Sequence, residues 1–192
     1  MTRSAVIFDL DGTLTRPTLD FDAIRAEIGL PKGPILESMR TLDGDARVRA
    51  ESILDRHEWE AARNALLYEG AVEIVSTVRS RGGPVGLLTR NGREKVDFIL
   101  GKHGFSFDAI RTREDGAIKP SAAPFLSICR EVGADPTRSW MVGDYLFDIQ
   151  TGRSAGATTV LMIGDGPEPD YANQAHYVIR SLGEMFGILW AE

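Results

Sequence analysis

The sequence holds a single cysteine, Cys129, so no intrachain disulfide can brace it. Cys129 falls in an apolar helical pattern, which predicts a buried small hydrophobe and suits a reducing cytoplasm, the expected location. Basic residues are outnumbered, 22 Lys and Arg against 28 Asp and Glu, for a net charge of -6. No basic patch stands out, so nucleic acid and anionic membrane surfaces are not expected partners. An acidic protein that handles an anion then needs local positive charge or a metal. No apolar run approaches a membrane span. The first apolar run, at residues 5–8, is too short for a signal peptide and ends in charge. His57, His103 and His176 are scattered without metal-ligand spacing, and there is no internal repeat or low-complexity tract. What remains is 192 residues with a globular balance of apolar and charged side chains, enough for one domain or one domain with an insertion.

The informative stretch is Val6-Ile7-Phe8-Asp9-Leu10-Asp11-Gly12-Thr13-Leu14. A short apolar run that stops abruptly reads as a buried parallel strand. In an open α/β sheet, ligands bind just past the carboxyl ends of such strands. Asp9 and Asp11 stand at that edge, and alternate residues of an extended chain share a face. Two carboxylates that close repel, so one keeps a proton or both share a cation. Mg2+ suits a few carboxylates plus phosphate oxygens. Gly12 lets the backbone turn and approach a ligand, and Thr13 adds a hydroxyl and an amide. The same residues also spell an ordinary turn, so the stretch alone leaves both readings open.

After Leu14 the pattern turns helical over 20–28, 35–42 and 45–68, with Asp45 placed to cap the third helix. Strand signals are missing from this part, which reads as a small helical insertion, a cap, over 15–69. Apolar positions on its helices allow either a homodimer face or the insertion's own small core. From Gly70 onward strands and helices alternate. Helices are expected over 71–81, 91–103, 121–132, 145–155 and 182–190, and strands over 84–88, 107–111, 139–142, 158–162 and 177–179. This predicts an α/β, Rossmann-like, doubly wound and mostly parallel sheet, with its core domain over 1–14 and 70–192. Trp59 and Trp140 sit in apolar patterns and are expected in the core.

Polar residues follow several strand ends. Thr89, Arg90 and Asn91 follow the second strand, Lys119-Pro120 the loop after the third, and Asp144 the fourth, with Asp148 four residues on. Each has a plainer use. Thr89 or Asn91 could cap a helix, Lys119 could be solvated, Asp144 could cap the next helix and Asp148 could face water. Arg16, just past the opening stretch, could reach an anionic substrate tail or simply be a solvated hinge residue. Coincidence of all these groups at one sheet edge favours a site.

In their order and spacing, Asp9-Leu-Asp-Gly-Thr-Leu, Thr89, Lys119-Pro120 and Gly143-Asp144-Tyr-Leu-Phe-Asp148 resemble the signature motifs of the haloacid dehalogenase-like hydrolases. The helical insertion is similar to the cap of the phosphoglycolate phosphatase-like branch, though short for it. The resemblance implies a Mg2+-dependent phosphatase acting on a small phosphorylated metabolite. It implies Asp9 as nucleophile, forming an aspartyl-phosphate, and Asp11 as the acid and base. Asp9, the Asp11 carbonyl, Asp144 and Asp148 would hold the metal. Thr89, Arg90 and Lys119 would bind the phosphoryl group. A dehalogenase of this fold lacks the second aspartate, so Asp11 argues against one. A phosphomutase on the same core, or a non-catalytic binding protein, are the alternatives, the latter expected to have lost Asp9, Asp11 or Lys119.

Overall fold

The computed structural model describes residues 3–190. Its strands are β1 (Val6–Phe8), β2 (Val85–Leu88), β3 (Ala109–Arg111), β4 (Trp140–Gly143), β5 (Thr158–Met162) and β6 (Tyr177–Ile179). They form one sheet in the order β3-β2-β1-β4-β5-β6, with every pair parallel. The sequence predicted a mostly parallel sheet; among the described residues it is wholly so. Residues of β1 and β2 are buried throughout, as expected of central strands covered on both faces. The chain runs outward from β1 through β2 to β3, then returns to β4 on the other side of β1. That reversal is a topological switch point, and it lies between β1 and β4.

The helices are α1 (Phe21–Ile28), α2 (Ile35–Met39), α3 (Gly44–Asn64), α4 (Ala71–Ser80), α5 (Arg93–His103), α6 (Ala123–Val132), α7 (Leu146–Ser154) and α8 (Met185–Leu189). One core cluster joins Ile7 and Met141 from the sheet to Phe125, Ile128 and Cys129 of α6. Cys129 is thus the buried hydrophobe expected of it. On α5, Gly104 closes the helix in the left-handed conformation just after His103, a favourable place for a cation.

The chain forms two compact units, Met1–Pro17 with Leu66–Glu192, and Thr18–Ala65. The first contains the sheet with α4 to α8. The second contains α1 to α3 and has its own core of Ile24, Ile35, Met39, Ala50 and Leu54. Asp20 begins α1 by accepting from the Ala23 amide at 2.9 Å, and Gly29 ends it. Phe21 and Val48 stay exposed on this unit. The flanking residues belong to the first unit for a visible reason. Thr15 and Leu67 form an antiparallel bridge, the Arg16 amide donates to Leu66 O at 2.8 Å, and the Tyr68 amide to Leu14 O at 2.9 Å.

Several boundaries correct the sequence reading. The third helix does not reach Tyr68; it stops at Asn64, where Ala65 turns extended and Leu67 is taken up in the bridge to Thr15. Asp45 lies inside the first turn of α3, and Asp43 holds the cap position. Residues 182–190 are a short 3-10 turn, Leu182–Glu184, followed by α8, because Ser181 and Glu184 close a capping box there. Trp59 and Trp140 are only half-buried. Arg63 lies over the Trp59 ring at 5.6 Å, and Trp140 packs against Tyr177 with ring centroids 5.9 Å apart. No helix among the described residues is long and apolar enough to cross a membrane.

Gly86 of β2, paired with Ile7, has no room for a side chain. A Cβ at Gly86 would stand 2.7 Å from Ile128 Cγ2 and 3.1 Å from Ile7 Cγ1. Overpacking of this kind costs about 1–3 kcal/mol. Gly86→Ala should lower the urea midpoint accordingly; an unchanged midpoint would mean that Ile128 can swing aside.

Candidate active site

Register brings the predicted residues to one edge. Phe8 is paired with Val142 on one side and Leu87 on the other. The Asp9 amide continues the ladder by donating to Val142 O at 2.8 Å, so Asp9 emerges beside Gly143 and Asp144 at the switch point. The Thr89 amide likewise donates to Arg111 O at 3.0 Å and extends β2 to the same edge.

Carboxylate oxygens of Asp9, Asp144 and Asp148 all lie within 4.8 Å of one another. Only a chain that lacks side chains nearby can crowd them so. Gly12 has a positive φ of 79°, and a Cβ there would stand 2.0 Å from Asp144 Oδ2. A Cβ on Gly143 would stand 2.1 Å from Asp148 Cγ. The sequence reading had given Gly12 a turn and a close approach to a ligand; what it approaches here is a carboxylate, and the need for Gly143 was missed.

Lys119 is the counter-charge, and it is not a solvated loop lysine. It is 3% exposed, with Nζ 2.8 Å from Asp9 Oδ1 and 2.6 Å from Asp148 Oδ1. The contact with Asp148 is a hydrogen bond. The contact with Asp9 is a close, charge-assisted one that also supports the lysine's charge. The Thr13 hydroxyl is buried with no hydrogen-bond partner among the described residues. Asp148 does not face water. It is 2% exposed, and its second oxygen accepts from the Tyr145 amide at 3.1 Å, closing the cap of α7. Tyr145, not Asp144, holds the cap position.

Burial works against the charge on Lys119, but Asp148 and Asp9 outweigh it and hold its pKa above the usual lysine value. Burial raises Asp148 to about 6, helped by Asp9 and opposed by Lys119. Asp144 is raised well above the ordinary carboxylate range by burial, then by Asp9 and Asp148. Three carboxylates against one ammonium leave this cluster short of positive charge. That donor set, three carboxylates converging on one spot, fits a hard divalent cation held by Asp9, Asp144 and Asp148.

The Asp11 carboxylate is not among those three; its Oδ2 accepts from Asn91 Nδ2 at 3.0 Å. Asn91 is not the cap of the following helix, a position that falls to Gly92. Sequence reasoning missed this contact. Thr89 is no helix cap either: its Oγ1 accepts from the Asn91 amide at 3.0 Å in a tight local turn. Arg90 lies over the Phe147 ring at 4.7 Å and donates to Lys119 O at 3.2 Å. Arg16 is exposed and lies over the Tyr68 ring at 5.1 Å. Tyr145 packs edge-on to Phe147 and Tyr171, an aromatic group that the sequence pattern did not reveal. Burial, then the charge of Asp144, pushes Tyr171 up to about 12.

A carboxyl with a higher pKa in the folded state binds its proton more tightly there. Its contribution to stability is full below the unfolded value, ~3.9 for aspartate, and is lost as pH rises through the folded value. Metal-free protein should therefore melt at lower temperature as pH rises from about 4 through about 6, the folded value of Asp148, with Asp144 adding to the slope. Asp144→Asn should flatten that slope in thermal unfolding with chelator present. Parallel slopes for the two proteins would show that Asp144 is not held protonated.

Known proteins resemble this chain in sequence and in fold. A family model described as haloacid dehalogenase-like hydrolase matches residues 4–156. A haloacid dehalogenase-like hydrolase domain-containing protein of Arabidopsis thaliana is 32% identical, over 82% of this chain and 69% of its own length. An N-acetylmuramic acid 6-phosphate phosphatase of Pseudomonas aeruginosa is 29% identical, over 92% of this chain and 88% of its own. A solved structure of a hydrolase from Pseudomonas syringae covers 97% of this chain and 98% of its own with a TM-score of 0.80 at 20% identity, a likeness of fold. The chain belongs to the haloacid dehalogenase-like hydrolases.

Proposed function

We propose that this protein is a Mg2+-dependent phosphatase that hydrolyses a small phosphate monoester through an aspartyl-phosphate on Asp9. The observation that carries the reading is the buried Asp9 carboxylate at the sheet edge, 2.8 Å from the Lys119 ammonium and within 4.8 Å of the carboxylates of Asp144 and Asp148.

A carboxylate oxygen of Asp9 attacks phosphorus while the ester P–O bond breaks and Asp11 gives a proton to the leaving oxygen. Asp11 then takes a proton from water, whose oxygen attacks phosphorus and breaks the bond to Asp9. Inorganic phosphate leaves and Asp9 is restored. Lys119 stays charged throughout, and together with Thr89 and Arg90 it binds phosphoryl oxygens. Asp9, Asp144 and Asp148 would hold the metal, with the Asp11 carbonyl as a further ligand. When bound there, Mg2+ supplies the positive charge that the carboxylate cluster lacks and that a dianionic phosphate needs.

The relative from Pseudomonas aeruginosa is named for a sugar phosphate ester, which supports testing small sugar phosphates first. The lone, buried Cys129 supports cytoplasmic action.

Purified protein should release phosphate from at least one member of a panel of sugar phosphates, phosphoglycolate, nucleotides and an aryl phosphate, with Mg2+ and not with chelator. Phosphate monoesters are among the slowest esters to hydrolyse unaided, with accelerations up to ~10^21. Asp9→Asn should therefore drop turnover below detection while the thermal transition persists. Turnover retained in that variant would sink the mechanism, and metal-independent release would sink the metal assignment.

A further inference from the structure

Asp11 stands apart from the three carboxylates gathered with Lys119. The Asn91 side chain meets it from 80 residues away in sequence, Nδ2 to Oδ2 at 3.0 Å. The two ends of an amide are told apart by their partners. The Gly92 amide donates to Asn91 Oδ1 at 2.7 Å, which commits the carbonyl end and leaves the NH2 end toward Asp11. Asn91 is 6% exposed, so neither end has much water to fall back on. Its backbone amide donates to Thr89 Oγ1, which occupies one lone pair and leaves that hydroxyl's proton free to point elsewhere. One buried residue thereby orders both an acid–base carboxylate and a phosphate-binding hydroxyl.

We propose that Asn91 is a positioning residue for phosphoryl transfer, its side-chain amide fixing the Asp11 carboxylate for proton delivery to the leaving oxygen. This rests on the phosphatase reading above. Asn91 acts through Asp11 and touches neither phosphorus nor the leaving group. Its effect should therefore scale with how much the leaving group depends on a proton. Alkoxide leaving groups need one; a nitrophenolate departs without it.

Asn91→Ser removes the donor without adding charge and is too short to reach Asp11. Asn91→Asp keeps the side-chain shape but turns a carboxylate toward Asp11, so repulsion of the phosphate adds a loss common to both esters. The quantity to measure is kcat/KM, which covers every step through departure of the leaving group. For the best alkyl phosphate of the panel it should fall about 10–100-fold, the scale of a misplaced acid catalyst. For p-nitrophenyl phosphate it should fall by less than about threefold. Equal losses on the two esters would overturn the proposal, because phosphate binding or general packing would then be the role of Asn91. No loss on either would overturn it as well. Asn91→Asp should show the same inequality on top of that common loss, and carries the test if the serine variant shows no thermal transition. Failure of the underlying reading is separate and visible first: wild-type protein would release phosphate from no ester, and this inference would fall with it.

Discussion

One ammonium among carboxylates sets the terms for the rest of the structure. Lys119 follows β3, Asp9 follows β1 and Asp148 lies in α7, yet all three meet within ion-pair distance. Removing one partner of a buried pair typically costs about 3–5 kcal/mol, since the other is left charged and dry. The cluster is thus a structural fixture as well as a chemical one. It is also strained electrostatically, with Asp144 crowding two other acids. What holds the crowd in place is the apolar core of sheet and α6 beneath it. Side chains such as Phe8, Ile7, Phe125 and Ile128 are wholly or almost wholly buried, and each contributes about 1.5–3 kcal/mol.

The site is shaped as much by missing atoms as by present ones. Gly12 and Gly143 stand where any larger residue would displace Asp144 or Asp148. The loop after β1 comes up to Asp144 because Gly12 has no Cβ, and Asp148 of α7 lies against the end of β4 because Gly143 has none. Strand register then needs only to align Phe8 with Val142 for the carboxylates to converge. The chemistry follows from backbone spacing, and the spacing follows from glycine.

Much of this was legible in one dimension. The apolar run ending at Asp9 gave β1 and its polar edge, and alternating strand and helix patterns gave the sheet, because local periodicity survives in the folded state. Legibility failed where a distant partner overrode a local preference. Asn91 looks like a helix cap since it stands before a helix; its true partner, Asp11, is remote in sequence and leaves no local trace. Leu66 and Leu67 look like the end of a helix by spacing, but pairing with Thr15 pulls that stretch into the first unit. Asp148 on a helix is indistinguishable from a solvated acid until Lys119 is seen beside it. Aromatic neighbours such as Tyr145 and Tyr171 come from separate elements and show no shared period.

The bridge between Thr15 and Leu67 gives the chain a fixed pair of splice points. Where a loop's ends are already pinned, its length matters little: each doubling adds only about 0.6 kcal/mol of closure entropy. A lineage can therefore lengthen, shorten or replace the stretch from Thr18 to Ala65 without shifting Asp9 by a residue. The reacting edge of the sheet stays constant while the inserted unit is free to diverge, so one scaffold can be refitted by exchanging a single contiguous segment.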